Sequence, residues 1–312
     1  MSARGLNVNV AAKEPRFVVR AHAKVNLDLR VLGTRTDGYH ELRTVFQSIE
    51  LHDTLVCRER PGPFALKSRT ATIPLDRSNL VWKAAARLWK ALGRAGEPCD
   101  TSVTIEKVIP MEAGLGGGSA DAAASLHAFA RLWGGAPVTL LREVAADIGS
   151  DIPFFLSGGT ALGLGRGEEI YPLVDLPVHW VVIVQPAFGV STAEAYNWYD
   201  EDRAAGLKEP REPQVLPVPW PSRAAQMVND LEPPVVRRHP EIGDFKDALK
   251  DGGAVAASMS GSGSAVFGLF RTRPAAARLL KPLARGGART LLTRTLTRAE
   301  YERRSRAVAK RG

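Results

Sequence analysis

Four of the five residues from 114 to 118 are glycine, and alanine, leucine and phenylalanine at helical spacing follow them directly. Residues 101–109 alternate apolar and polar side chains and predict a strand, and residues 120–133 predict a helix. Glycines between a strand and a helix start are typical of an anion site. The first N–H groups of a helix lack intrahelical acceptors, and glycine lets an anion approach them closely. The sequence therefore predicts a phosphate-binding loop over residues 110–120, in which Ser119 caps the helix or contacts a phosphate or its metal ion.

This loop differs from two common phosphate-binding loops. A Walker A loop has Lys followed by Ser or Thr after its glycines, whereas this chain has Ser119 and Ala120 there. The GxGxxG pattern of dinucleotide-binding domains is absent between Gly114 and Gly118. A glycine-rich turn with a purely structural role is the alternative interpretation.

The composition is ordinary for a soluble globular protein. The 312 residues suit one large domain or two of ordinary size, and 45% hydrophobic with 24% charged residues is enough for a core. No run of 18 apolar residues occurs, and the polar first 16 residues lack the apolar core of a signal peptide. We therefore expect no membrane association and a cytoplasmic location. Cys57 and Cys99 show no CxxC spacing and no nearby histidine pair, which predicts neither a zinc site nor a disulfide.

The net charge of +9 is concentrated at the C-terminal end, where residues 285–312 contain nine Lys or Arg and two Glu. Such blocks are usually solvated tails or faces. No nucleic-acid motif with interleaved aromatic residues accompanies it, so we expect no nucleic-acid partner. A binder of RNA or ribosomes is the alternative from another functional class. The positive charge also suits long-range steering of an anionic small-molecule substrate.

The hydrophobic pattern predicts a mixed α+β fold. Strands are predicted over residues 17–31, 41–55, 101–109, 178–184 and 290–297, with a strand–turn–strand unit over 254–270. Helices are predicted over residues 79–92, 120–133, 139–148, 224–231, 240–249 and 274–283. The segment 201–222 is rich in Pro, Glu and Arg, and its part 209–221 is predicted to be an added loop. A change of character near residues 172–177 divides the chain into predicted domains of 1–174 and 175–312.

Two further stretches place polar side chains in apolar surroundings. Lys24 and Asn26 lie in an otherwise apolar strand, next to a turn that carries Tyr39 and His40. The alternative for this lysine is a solvated residue on the strand surface. Asp151 lies between the end of a helix and an Ile-Pro-Phe-Phe run, which predicts partial burial. It is either a helix or turn cap or a carboxylate that orients or deprotonates a hydroxyl.

Four stretches resemble the GHMP kinases and occur in that family's order. Three are A-K-V-N-L at 23–27, P-x-x-x-G-L-G-G-G-S-x-x-A-A at 110–123, and G-S-D-I-P-F-F at 149–155. The fourth, M-S-G-S-G-S-A-V-F at 259–267, is either a plain hairpin turn or a loop that closes over a phosphate, and it resembles the family's C-terminal glycine loop. The resemblance implies a two-domain α+β GHMP kinase fold with the active site in the cleft between the domains. It also implies ATP and Mg²⁺ as cofactors.

The resemblance assigns roles to single residues. Lys24 and Asp151 match the family's catalytic pair, in which Asp151 is the base toward the substrate hydroxyl and Lys24 holds that hydroxyl or stabilises the transferring phosphoryl. The positions matching ATP-binding residues are Pro110, Met111, Glu112, Ala113, Gly114, Leu115, Gly116, Gly117, Gly118, Ser119 and Ala120. The positions matching substrate-binding residues are Asn26, Tyr39, His40, Tyr196, Gly261, Ser262, Gly263 and Ser264. No metal ligand is assigned beyond a contact of Ser119 with Mg-ATP. Glu112 departs from the family pattern, because a carboxylate near ATP phosphates is repelled unless it points outward or meets Mg²⁺.

Within the family, D-G-Y-H-E-L at 37–42 and G-S-D-I-P-F-F resemble the branch that phosphorylates 4-diphosphocytidyl-2-C-methyl-D-erythritol in the non-mevalonate isoprenoid pathway. This resemblance implies that compound as the substrate and its C2 hydroxyl as the acceptor. His40 is then expected at the cytosine edge, with Tyr39 and Tyr196 on the two faces of the base. A kinase of the homoserine or mevalonate type is the alternative, but it gives no reason for these aromatic residues. We expect a monomer or a weak homodimer.

Overall fold

Two β-sheets organise the chain in the computed structural model, which describes residues 16–69, 73–207 and 227–310. The strands of the first sheet are β1 Arg16–Thr34, β2 His40–Pro63, β3 Ala65–Ser68, β4 Cys99–Glu106, β5 Thr160–Gly165, β6 Glu169–Pro172 and β11 Val308–Lys310. The strands of the second sheet are β7 Trp180–Gln185, β8 Ala256–Met259, β9 Val266–Phe270 and β10 Arg289–Arg294.

The helices of the described chain cover these sheets. They are α1 Leu80–Ala91, α2 Gly117–Leu132, α3 Val138–Ile148, α4 Ile152–Phe155, α5 Thr192–Ala204, α6 Glu232–Arg238, α7 Glu241–Asp251, α8 Arg273–Ala277, α9 Leu280–Leu283 and α10 Arg298–Ser305. In the described ranges no helix is long and apolar enough to cross a bilayer.

The strand order confirms the α+β prediction. The first sheet runs β11-β1-β2-β4-β3, with β5 beside β2 and β6 beside β5, and only β3 and β4 pair in parallel. The second sheet runs β10-β7-β9-β8 and is antiparallel throughout. Largely antiparallel sheets with helices packed against them are the hallmark of this class. The predicted division at residues 174 and 175 falls between β6 and β7, where the chain leaves the first sheet, and it stays a prediction.

Strand β1 contributes to all three hydrophobic cores. Its beginning packs with α1 and α2, its middle packs against β7 and β9, and its end packs with α6 and α7. Side chains alternate across a strand, so Lys24 and Asn26 project from one face and Val25 from the other. The pairing of β1 with β2 shifts register on both sides of this segment, between His22 and Lys24 and again between Asn26 and Asp28. Such bulges bend a strand and redirect its side chains.

Several predicted elements differ from the observed ones. Helix α2 starts at residue 117 rather than 120, because Gly116 already adopts the left-handed conformation of the cap. Residues 227–231 are not helical and α6 begins at Glu232, whereas the rest of the predicted helix 224–231 lies outside the described residues. The predicted helix 274–283 is two short helices, α8 and α9. The predicted loop 209–221 also lies outside the described residues.

The missed elements are mostly short, such as β3, β6, α4 and β11, and short elements carry little periodicity. Helix α5 is longer, but its apolar side chains are mostly aromatic residues next to polar ones, and they give no clear apolar stripe. Its start had a local signal. Ser191 and Glu194 form a capping box, in which each side chain bonds the other residue's backbone N–H.

Candidate active site

The phosphate-binding loop connects β4 to α2. Its last residue before the helix, Gly116, has φ of 69° and acts as the N-cap without any side-chain cap bond. Ser119 lies inside the first turn of α2, so the prediction that it caps the helix is wrong. Because no side chain caps this end, the first N–H groups of a 16-residue helix remain for an anion, which the helix dipole also favours.

The phosphate-binding loop packs directly against the loop between β8 and β9. A Cβ on Gly114 would lie 1.8 Å from the carbonyl oxygen of Ser260, so only glycine fits there. The hydroxyl of Ser260 donates to the carbonyl of Gly114 at 2.9 Å. The backbone N–H groups of Ser264 and Ala265 donate to the carbonyls of residues 112 and 113, each at 3.3 Å. The two glycine-rich loops of the sequence are thus joined by backbone contacts.

Lys24 lies where these loops meet. Its side chain is 4% exposed, and its Nζ lies 3.4 Å from Asp151 Oδ2. It donates to Asn26 Oδ1 at 2.5 Å and to the carbonyl of Gly114 at 2.9 Å. Two hydrogen-bond acceptors and one nearby carboxylate surround the ammonium group, which explains how this buried charge is tolerated. The alternative of a solvated strand lysine is wrong.

The partners of Lys24 are themselves held in place. Asn26 donates from Nδ2 to Thr44 Oγ1 at 2.8 Å, and this hydroxyl donates to the carbonyl of Asp28 at 2.7 Å. Asp151 is the N-cap residue of α4 and lies in a turn, as the alternative interpretation has it, but its side chain makes no cap bond. Its side chain is 35% exposed, in contrast to Lys24. The carboxylate is therefore open to an incoming molecule, whereas the ammonium is enclosed.

The C-terminal glycine loop contributes mainly backbone to this site. A Cβ on Gly261 would lie 3.2 Å from Lys24 Nζ, so this loop borders the ammonium. Ser262 is partly exposed and its hydroxyl lies 3.3 Å from that of Thr192. Ser264 is buried and donates to the carbonyl of Phe188 at 2.7 Å. Gly263 faces the Met259 side chain, with its Cβ position 2.7 Å from the sulfur.

The other loop residues divide into buried and exposed sets. The buried residues are Pro110, Ala113, Leu115, Gly117 and Ala120, and the partly or fully exposed residues are Met111, Glu112, Gly114, Gly116, Gly118 and Ser119. Glu112 has φ of 51° and its carboxylate packs against Gly189, with Oε2 2.8 Å from the position of a Cβ there. Within the described ranges no three His, Cys, Asp or Glu residues form a metal-binding group.

Aromatic residues extend the site away from the catalytic pair. Tyr196 is partly buried, and the loss of solvent around its hydroxyl raises its pKa, with the charge of Asp151 as the second cause. Its ring stacks on that of His40 at 4.6 Å between centroids. Tyr39 is 56% exposed and faces the guanidinium of Arg166, 5.0 Å from the ring centroid. The structure thus brings His40 and Tyr196 together and leaves Tyr39 at the surface.

A buried charge cluster beneath the loop was missed in the sequence. Lys107 Nζ donates to Asp53 Oδ2 at 2.5 Å and to Asp121 Oδ2 at 2.8 Å. Asp53 Oδ1 also accepts from the N–H groups of Val108 and Ile109, at 2.5 and 2.8 Å. The cluster therefore ties the end of β4 to the second turn of α2 and holds both ends of the phosphate-binding loop. The sequence signal for this cluster was Asp121, a charged residue within the alanine-rich segment 120–130.

The cluster has one carboxylate more than it has ammonium groups. Asp121 Oδ1 is buried without a hydrogen-bond partner among the described residues. Burial raises the pKa of Asp121 to about 8, with Asp53 adding to and Lys107 opposing the shift. In an unfolded chain an aspartate has a pKa of about 3.9. Folding therefore favours protonated Asp121, and this contribution to stability is lost as the pH rises toward about 8.

We expect Asp121→Asn to remove this pH dependence, because the amide stays neutral and keeps an oxygen for Lys107. The free energy of unfolding of the variant should rise relative to that of wild type as the pH increases from about 4 to about 8, and should level off above that pH. Urea unfolding at several pH values measures the difference. Asp147→Asn is the control, because Asp147 pairs with Arg87 on the surface. A difference between Asp121→Asn and wild type that stays constant over this range would contradict the assignment.

The basic C-terminal end packs back on the first sheet. Arg294 and Arg304 both pair with Glu50, at 2.9 and 2.7 Å, and Arg294 also pairs with Glu300 at 2.8 Å. The hydroxyl of Tyr301 donates to the carbonyl of Phe155, at the end of α4, at 2.6 Å. Part of the positive charge at this end therefore stabilises the fold and supports the helix that follows Asp151.

Comparison with known proteins places the chain in a family. The family model "GHMP kinases N terminal domain" matches residues 79–159, and "GHMP kinases C terminal" matches residues 220–289. A protein of Moorella thermoacetica named 4-diphosphocytidyl-2-C-methyl-D-erythritol kinase is 44% identical over 286 residues, which cover 88% of this chain and 98% of that protein. The chain belongs to the 4-diphosphocytidyl-2-C-methyl-D-erythritol kinase family. It is thus an ATP-dependent kinase of the GHMP group.

Solved structures agree with this family. A crystal structure of 4-(cytidine 5'-diphospho)-2C-methyl-D-erythritol kinase has a TM-score of 0.70 at 33% identity and covers 89% of this chain and 98% of its own. Homoserine kinase from Cytophaga hutchinsonii has a TM-score of 0.62 at 19% identity and covers 95% and 97% of the two chains. The second likeness extends to the fold alone. The two-domain GHMP kinase fold expected from the sequence motifs is confirmed.

Proposed function

We propose that this kinase transfers the γ-phosphoryl group of ATP to the C2 hydroxyl of 4-diphosphocytidyl-2-C-methyl-D-erythritol. Membership of the family named for this compound supports the substrate. The observation that carries the reaction type is the position of Lys24. Its Nζ lies 3.4 Å from the carboxylate of Asp151 and 2.9 Å from the carbonyl of Gly114 in the phosphate-binding loop.

The loop residues fit a triphosphate. Helix α2 presents an uncapped N-terminus, and Gly114, Gly116 and Gly117 bring the backbone so close to other residues that a Cβ would clash. Anions bind at such helix ends through N–H groups and the helix dipole. When bound, ATP supplies the phosphoryl group that is transferred. The exposed Gly118 and the partly exposed Ser119 are the proposed contacts of the phosphates in the first turn of α2.

The proton of the acceptor hydroxyl goes to Asp151 in this proposal. The carboxylate is partly exposed and can contact the substrate. Substrate binding removes water from the carboxylate, and this strengthens the hydrogen bond between the carboxylate and the hydroxyl. The hydroxyl oxygen forms the new bond to phosphorus while the bond to the ADP oxygen breaks. Lys24 holds positive charge beside both the oxygen and the phosphoryl group, which is the electrostatic stabilisation that phosphoryl transfer needs.

Magnesium is proposed to arrive with ATP. The described residues contain no group of three acidic or histidine side chains that could hold it alone. Mg²⁺ commonly binds through substrate phosphates and few protein ligands, so the hydroxyl of Ser119 is the proposed protein contact. Glu112 packs against Gly189, which supports an outward position for this carboxylate rather than repulsion of the phosphates.

The cytidyl end of the substrate is proposed to bind along α5. The charge of Asp151 acts on Tyr196, and the Tyr196 ring stacks on that of His40, which supports an extended site. Asn26 and the loop Gly261–Ser264 border Lys24, so they are proposed to contact the part of the substrate nearest the transferred group. Tyr39 is proposed to cover the base from its exposed position. We also propose a cytoplasmic monomer or weak homodimer with domains 1–174 and 175–312.

ADP release by the purified chain with Mg-ATP tests the function. We expect release with the cytidyl erythritol compound, and little with homoserine or mevalonate. Faster turnover of homoserine or mevalonate would overturn the substrate assignment while keeping the kinase reaction. RNA binding with a steep salt dependence, lost on removal of residues 303–312, would favour the nucleic-acid alternative.

A further inference from the structure

Three side chains of α5 hold the ring of His40. The ring stacks on Tyr196 with 4.6 Å between centroids and a 21° angle, and it meets Tyr199 edge-on at 6.1 Å. His40 Nε2 lies 3.0 Å from Asp200 Oδ1. Residues 196, 199 and 200 have the spacing of one helix face. His40 is the first residue of β2, so this contact joins the first sheet to a helix of the second half of the chain.

The turn before His40 is also fixed. Arg35 donates its N–H to the carbonyl of Tyr39 at 2.7 Å, and Asp37 Oδ1 accepts from the N–H of Tyr39 at 3.1 Å. The His40 side chain is only 12% exposed, whereas that of Asp200 is 51% exposed. The turn therefore fixes the backbone of His40, and the side chains of α5 fix the position of its imidazole ring.

The contact with Asp200 determines which ring nitrogen carries a proton. An ionised carboxylate accepts hydrogen bonds and cannot donate them, so His40 Nε2 must carry the N–H. In a neutral imidazole the other nitrogen, Nδ1, then has a lone pair and acts as an acceptor. No described residue makes a hydrogen bond with Nδ1 of His40.

We infer that Asp200 is a positioning residue that makes Nδ1 of His40 an acceptor for the exocyclic amino group of cytosine, and thereby selects a cytidyl over a uridyl substrate. This inference rests on the proposed function. Cytosine carries an N–H₂ donor where uracil carries a carbonyl oxygen. With uracil, two acceptors would face each other and both would lose their hydrogen bonds.

The position of His40 agrees with this role. The charge of Asp151 contributes to the raised pKa of Tyr196, and the Tyr196 ring stacks on the ring of His40. Tyr196 therefore lies between the catalytic carboxylate and the imidazole that Asp200 contacts. In the substrate, the diphosphate likewise lies between the acceptor hydroxyl and the base.

Steady-state kinetics with cytidyl and uridyl forms of the erythritol substrate tests the inference. We expect wild type to prefer the cytidyl form by about 100-fold or more in kcat/KM. In Asp200→Ala this preference should fall about tenfold or more, through a higher KM for the cytidyl form and little change in kcat. Glu201→Ala is the matched control, because Glu201 is the next residue and pairs with Arg238 instead. It should keep the wild-type preference.

The outcomes separate the inference from the proposed function. Equal turnover of both forms by wild type would keep the proposed function and overturn the inference. The same preference in Asp200→Ala as in Glu201→Ala would also overturn it. No turnover of either form by wild type would remove the proposed function and the inference together.

The tautomer is measured directly by ¹⁵N NMR of histidine-labelled wild type, which is independent of how the variants fold. The His40 signals are assigned by their absence in His40→Gln. We expect a protonated Nε2 and an unprotonated Nδ1 at pH 8. A protonated Nδ1 at that pH would overturn the inference.

Discussion

Asp151→Asn is expected to lower kcat by about 10²–10⁴-fold, the range that general acid–base catalysis contributes. The amide has nearly the same shape as the carboxylate, so it can still accept a contact from Lys24, but it cannot take the proton of the acceptor hydroxyl. Because the phosphate-binding loop is untouched, the KM for ATP should change little. Steady-state ADP release with the cytidyl erythritol substrate measures both constants.

Asp147→Asn is the control for this variant. Asp147 lies in α3, four residues before Asp151, and its exposed carboxylate pairs with Arg87 at 3.2 Å. The control should turn over at the wild-type rate. Wild-type turnover by Asp151→Asn would remove the base from the mechanism and leave Lys24 and the loop as the catalytic groups.

Gly114→Ala is expected to cost about 2–5 kcal/mol of the free energy of unfolding, because overpacking costs about 1–3 kcal/mol and a Cβ in the left-handed conformation about 1–2 kcal/mol. The new Cβ would lie 1.8 Å from the carbonyl oxygen of Ser260, and the φ of Gly114 is 69°, which disfavours any residue with a Cβ. Relief requires the two glycine-rich loops to separate. The contact between Gly114 and Lys24 would then be lost, so activity should fall with stability.

Gly118→Ala is the matched control in the same loop. Its Cβ would lie 3.5 Å from Leu80 Cδ1, an ordinary contact, and Gly118 is part of α2. Alanine is preferred over glycine inside a helix by about 0.5–1 kcal/mol, so this variant should be at least as stable as wild type. Urea unfolding of both variants checks the pair. Similar stability of Gly114→Ala and Gly118→Ala would contradict the close packing of the loops.

The local parts of the site could be predicted from the sequence. The strand, glycine run and helix of the phosphate-binding loop depend on backbone preferences of neighbouring residues, and the structure differs only in the cap. Ser119 was predicted either to cap the helix or to contact a phosphate or its metal ion, because sequence preference favours serine as a cap. Gly116 is the cap instead, because it reaches the left-handed conformation that the turn requires. The family assignment of the chain likewise followed from short motifs and is confirmed.

The prediction that Asp151 is partly buried is confirmed, but the partners of the buried charged residues could not be predicted. Lys107, Asp53 and Asp121 come from three separate parts of the chain, and only the packing of α2 on the first sheet joins them. Asp200 lies in α5, a helix without a clear apolar stripe, so neither the helix nor its contact with His40 was visible in the pattern. Their partners are distant in sequence, and hydrophobic periodicity contains no information about such pairs.

The sequence by itself determined the class of fold, the helix end that favours an anion, and the kinase family, because each depends on neighbouring residues or on short motifs in order. Only the tertiary structure decided that Lys24 is enclosed and that Asp151 is open. The two bulges in β1 turn Lys24 toward Gly114, and α4 brings Asp151 to it from a different part of the chain. The physical reason is that a buried ammonium needs several oxygen partners at once, and these come together only when both sheets and both glycine-rich loops are packed.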